Sequence, residues 1–99
     1  MPISTTELTA IRTAIPTYHD ITLRQLHALA LIVSKPQDGR TVRALAAAMQ
    51  VHRPAITRAA DRLEDFGFVV RRPDTADRRS VFIDATAAGR RFAGRHLVA

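Results

Sequence analysis

The side chains of this sequence with an evident chemistry are its arginines. Of fifteen lysines and arginines only Lys35 is a lysine, and against nine acids they leave a formal net charge of +6. The excess is localised. Residues 1–39 hold Arg12, Arg24 and Lys35 against Glu7, Asp20 and Asp38, which sums to zero. Residues 40–99 hold twelve arginines against Asp61, Glu64, Asp65, Asp74, Asp77 and Asp84, and so carry the whole +6. A guanidinium is a planar fork that donates two parallel hydrogen bonds, a geometry matched by phosphate oxygens and by the guanine edge. A localised arginine excess therefore points to nucleic acid. An arginine-rich surface that serves solubility alone would carry the same charge, and charge by itself does not separate the two.

Other chemistries find little support. His19, His27, His52 and His96 show no metal-ligand spacing, and His27 reads as a helix-surface or core-edge residue. There is no cysteine, which excludes disulfides, thiolate zinc sites and cysteine redox sensing. Glu64 and Asp65 are neighbours on a helix and point apart. No nucleophile elbow, glycine-rich phosphate loop or carboxylate pair with a partner base is present. No enzyme activity, cofactor or metal is expected.

The chain of 99 residues suits one domain, and 46% apolar with 24% charged residues is an ordinary globular mix. The longest apolar run, Ala28 to Val33, is far short of the roughly 18 residues of a membrane span. The start, Met1-Pro-Ile-Ser-Thr-Thr-Glu7, has no basic region followed by an apolar stretch. The expected location is the cytoplasm, at the nucleoid.

The elements that must position the arginines follow from periodicity and caps. Ser4, with Glu7 three residues on, predicts a first helix over about 4–15 with Leu8, Ile11 and Ile15 on one face, ended by Pro16. Thr22 with Gln25 predicts a second helix with an inner stripe of Leu23, Leu26, Leu29, Ala30 and Val33, broken by Pro36, Asp38 and Gly39. Thr41 caps a third helix to about Met49, with Val42, Leu45, Ala46 and Met49 inward. A turn at Gln50-Val51-His52 leads to a fourth helix with His52 at its N-cap and Pro54 in its first turn. There Ile56, Ala59, Ala60, Leu63 and Phe66 form an apolar face, while Arg53, Thr57, Arg58, Asp61 and Arg62 lie largely opposite. Gly67 stops it.

Phe68–Arg72 and Ser80–Asp84 then read as two strands of a hairpin, the wing, spanning about 68–85, with a polar tip at 73–79. Arg71 and Arg72 alternate across the first strand, so one of them is placed to lie flat on the sheet. Thr86 caps a last helix over about 87–98. Residues 41–67 are thus a helix-turn-helix by spacing, a unit that lays its second helix in the major groove. Small side chains at Ala55 and Ala59 would let that helix approach DNA closely. A basic hairpin beside it can reach the neighbouring minor groove, which attracts arginine.

From about Ile21 to Phe92 the sequence resembles the MarR-type winged-helix transcriptional regulators. The matching stretches are Leu23-Arg-Gln-Leu-His-Ala-Leu29, Thr41-Val-Arg-Ala-Leu-Ala46, Ile56-Thr-Arg58 with Arg62-Leu-Glu64, Gly67-Phe-Val-Val-Arg-Arg72, Asp77-Arg-Arg79 and Thr86-Ala-Ala-Gly89. The resemblance implies a mainly α fold with a small β-hairpin, a winged helix-turn-helix flanked by N- and C-terminal helices. It implies a recognition helix over His52–Phe66, with His52, Arg53, Thr57 and Arg58 toward double-stranded DNA. It places the family's wing motif on Asp77, which braces the wing, and Arg79, which enters the minor groove. Arg62, Arg72 and Arg78 complete the expected DNA-binding set. His52 stands where serine is usual, and its imidazole is expected either to accept the cap bond or to contact phosphate.

Family members usually continue for several helical turns beyond this point. With the chain ending at Ala99, a homodimer is expected from the terminal helices, through Ile3, Leu8, Ile11 and Ile15 and through Phe92, Leu97 and Val98. Effector sensing is not expected. The alternative function is a winged-helix interaction module that binds or blocks a partner regulator without reading DNA. That reading predicts an exposed apolar patch where DNA binding predicts an exposed basic face.

Overall fold

The computed structural model describes residues 4–7, 9 and 20–97. Among them run helix α1 (Leu23–Ser34), one 3₁₀ turn (Gln37–Gly39), helices α2 (Val42–Met49) and α3 (Arg53–Asp65), strands β1 (Val69–Pro73) and β2 (Val81–Ala85), and helix α4 (Ala87–His96). Residues 5–7 and 9 are helical, and Ser4 Oγ accepts from the Glu7 N–H at 3.0 Å, the cap expected there. Ile3, Leu8, Ile11, Ile15, Pro16 and Val98, on which the predicted terminal stripes and the expected dimer partly rest, lie outside the described residues.

Three of these helices start at their predicted threonine caps. Thr22 Oγ1 accepts from Gln25 N at 3.1 Å while Gln25 Oε1 accepts from Thr22 N at 2.9 Å, a reciprocal box that opens α1. Thr41 and Thr86 cap α2 and α4 through Ala44 N and Gly89 N. Pro36 pushes Lys35 into an extended conformation and so ends α1. The inner stripe of α1 is Gln25, Leu26, Ala28, Leu29 and Ile32. Leu23 is 68% exposed, against expectation. At about 100° per residue it projects about 120° away from the buried Leu29, off the edge of the stripe.

The core joins Leu29 and Ile32 of α1, Leu45 of α2, Ile56 and Leu63 of α3, Val69 and Ile83 of the hairpin, and Phe68 and Phe92. Both strands begin one residue later than predicted, β2 opposite Pro73 and β1 because the Phe68 N–H is committed elsewhere. That N–H donates to Leu63 O at 2.9 Å and Gly67 N–H to Glu64 O at 2.9 Å, the double bond pattern that closes a helix through a left-handed residue. Gly67 supplies that residue, with φ 79°. The strands pair antiparallel from Val69 opposite Ala85 to Pro73 opposite Val81.

Two contacts set the hairpin against the helices. A Cβ at Gly89 would stand 2.1 Å from the Phe68 carbonyl oxygen, so α4 can dock there only with glycine. A third strand stub, unforeseen from sequence, is formed by Thr41 bridging Phe82, with Ile83 N–H donating to Arg40 O at 2.9 Å.

Candidate nucleic-acid interface

The turn between α2 and α3 is built on Gln50, in the left-handed conformation at φ 57°, with Val51 N–H reaching back to Ala46 O at 3.0 Å. It swings α3 across α1 and α2. The buried side of α3 is Ala55, Ile56, Ala59, Ala60 and Leu63. Ala55 and Ala59, 8% and 4% exposed, therefore face the core, not DNA. Their small size serves close helix–helix packing, because the hydrophobic stripe takes them inward.

That packing leaves His52, Arg53, Thr57, Arg58, Asp61 and Arg62 exposed. His52 is the N-cap by backbone conformation, but its side chain accepts no cap bond. Thr57 Oγ1 donates back to Arg53 O at 3.3 Å. Arg53 and Arg58 make no ion pair among the described residues. Arg62 differs from them. It lies one turn before the helix end, 3.6 Å from Asp65, and its guanidinium covers the Phe66 ring at 4.9 Å.

The wing has a tied root and an open tip. At the root, Arg71 leaves β1 and meets the Asp61 carboxylate of α3, and its Nη2 also lies 3.5 Å from the Thr57 carbonyl. Arg72 donates from Nε to Asp84 at 2.9 Å and lays its guanidinium over Phe82 at 4.7 Å, so it is the arginine that lies flat on the sheet. Arg40 donates to the other oxygen of Asp84 at 3.1 Å and to Lys35 O at 3.1 Å. The Arg72 hydrogen bond, with the charges of Arg72 and Arg40, holds the Asp84 carboxyl below the usual carboxylate range despite the opposing effect of burial. Sequence reasoning missed Arg40 and Asp84 as a pair. They are 44 residues apart, and only the strand stub brings them together.

At the tip, Asp77 Oδ1 accepts from the backbone N–H of Arg79 at 3.0 Å and from its Nε at 3.4 Å. Asp74 Oδ1 accepts from Ala76 N at 2.9 Å, and Ser80 N–H donates to Asp77 O at 3.0 Å. These turns leave Arg78 exposed and the Arg79 side chain 92% exposed. Among the described residues, the exposed large hydrophobics are Leu23 and Val70, and neither is on α3. No group of three or more histidines or acids among the described residues is placed to hold a metal, and no described helix is long and apolar enough to cross a membrane.

The MarR family model matches residues 21–81, the stretch that contains α1, the helix-turn-helix and the whole wing loop. The chain belongs to the MarR family. Solved structures agree with this assignment. A transcriptional regulator from Thermotoga maritima is 25% identical with a TM-score of 0.73, covering 93% of this chain and 63% of its own. MepR of S. aureus, in a structure of its DNA complex, is 27% identical with a TM-score of 0.73, covering 93% and 66%. A MarR-family regulator from Rhodococcus is 32% identical with a TM-score of 0.72, covering 93% and 63%. This MarR-family chain thus spans slightly less than two thirds of the length of these relatives. No curated protein matches it significantly.

Proposed function

We propose that the protein is a sequence-specific, double-stranded DNA-binding transcriptional regulator without catalytic activity, acting in the cytoplasm at the nucleoid. The observation that carries this reading is the exposed first half of α3, where Arg53 and Arg58 stand without carboxylate partners among the described residues. In the major groove, Thr57 reaches base edges, while His52, Arg53 and Arg58 meet phosphate around the helix start. Arg78 and Arg79 carry the wing into the minor groove, and Asp77 braces Arg79 there through both bonds to it. Arg62 and Arg72 take the margin of the interface, since each lays its guanidinium over a phenylalanine ring of its own frame.

The protein reads a two-fold site as a homodimer joined through its terminal helices, as the symmetry of such operators asks.

The test is binding of a duplex across a salt series. With roughly three to five phosphates neutralised per protomer, log K falls with log salt at about −0.9 per contact. A flat salt response, or no duplex binding at low salt, sinks the reading.

A further inference from the structure

Between the first turn of α1 and the start of α3 lies an open groove of about 550 Å³. Arg24 lines it on one side and Arg58 on the other, with His52, Gln50 and Pro54 between them. No acidic side chain lines it. Arg24, Arg58 and His52 are all exposed, and none makes a hydrogen bond or ion pair through its side chain among the described residues. Arg24 also sits where a helix disfavours a cation, in a first turn that holds no acid. The position is nonetheless fixed, because the Thr22–Gln25 box pins the turn and Gln25 is buried.

We infer that Arg24, outside the helix-turn-helix, is a phosphate clamp: with Arg58 and His52 it takes a backbone phosphate of the duplex in this groove and extends the DNA footprint onto α1. The groove is cationic on both walls and opens beside the N–H groups that start α3, which are themselves suited to phosphate. A guanidinium held there donates two hydrogen bonds to one phosphate. Because α1 packs directly on α3, the clamp also fixes how deeply the recognition helix enters the groove. A backbone contact of this kind carries no base information, so it sets affinity and register, not sequence preference.

The inference rests on the DNA-binding reading, and a salt series separates their failures. Binding is measured by anisotropy on one mixed-sequence duplex and one preferred duplex. Arg24→Ala reduces the steepness of the log–log salt slope by about 0.9 and weakens binding roughly three- to tenfold at low salt, by the same factor on both duplexes. Arg24→Gln, which keeps the side-chain stem, does the same should the alanine variant disturb the fold. Arg24→Lys keeps the slope. Arg90→Ala, which removes an exposed α4 arginine off the groove, leaves the slope unchanged. A wild-type slope in both neutral Arg24 variants overturns the clamp, and so does an equal loss in Arg90→Ala, which would reflect net charge alone. A wild-type protein with no salt-dependent duplex binding overturns the DNA reading and the clamp together.

Discussion

The start of α3 and the root of the wing are both rich in arginine, and they differ in what faces each guanidinium. Around the start of α3, Arg24, Arg53 and Arg58 have no carboxylate partner among the described residues. At the root, Arg40 and Arg72 share Asp84, and Arg71 is held by Asp61. A paired guanidinium has spent its charge on holding two elements together. An unpaired one keeps a charge that a polyanion can satisfy. Net charge cannot distinguish these populations, although the unpaired ones form the proposed interface and the paired ones a frame. Asp61 shows the division most clearly. It is an acid on the exposed side of α3, the face proposed to meet phosphate, and its position is explained by the strut that Arg71 makes from β1 to α3.

The largest effect is expected at the frame. Gly89→Ala drives a Cβ into the Phe68 carbonyl, backbone that cannot yield cheaply. A loss of about 3 kcal/mol is expected by thermal or urea unfolding, and DNA binding goes with the fold. A stable variant would show that α4 can dock on the hairpin in another way.

A smaller effect is expected from Asp84→Ala, which leaves Arg40 and Arg72 unpaired at a site only one-quarter exposed. The expected loss is about 1–2 kcal/mol. Its pH dependence has a definite sign. The folded-state pKa of Asp84 is lowered, so its stabilisation is fully present above the ordinary carboxylate range and is lost as pH falls through the lowered value. Asp84→Asn should therefore flatten part of the acid limb of a stability–pH curve and leave the neutral-to-alkaline limb parallel to wild type. An unchanged acid limb would remove Asp84 from the frame.

Much of this frame could be read beforehand and part could not. The caps at Thr22, Thr41 and Thr86, the stop at Gly67 and the turn before His52 are local, fixed by residues within one helical turn of each other. They were legible for that reason. The exposed placement of His52, Arg53, Thr57 and Arg58 also followed, since it is the complement of an apolar stripe. The inward turn of Ala55 and Ala59 did not follow, because alanine is compatible with either face and only the packing against neighbouring helices decides. Nor did the partners of Arg40, Arg71 and Arg72. Ion pairs between distant segments depend on strand register, and the third strand stub at Thr41 has no periodicity to announce it.

The least effect, and the sharpest in sign, is expected from Asp61→Asn. Removing an acid from a face proposed to meet phosphate should by charge alone tighten binding. If the strut sets the angle between α3 and the wing, the variant binds more weakly, by about 0.5 kcal/mol, despite its more favourable charge. Tighter binding would reduce Asp61 to a bystander.

The division between interface and frame is tested most directly by one paired measurement, thermal stability and the duplex-binding salt slope of Arg58→Ala beside Arg71→Ala. Each variant removes one positive charge. The account predicts a crossing: Arg58→Ala keeps the wild-type melting temperature and loses about 0.9 from the slope, whereas Arg71→Ala loses about 1 kcal/mol of stability and keeps the slope. Equal slopes lost by both variants, or a slope lost by Arg71→Ala alone, would contradict it.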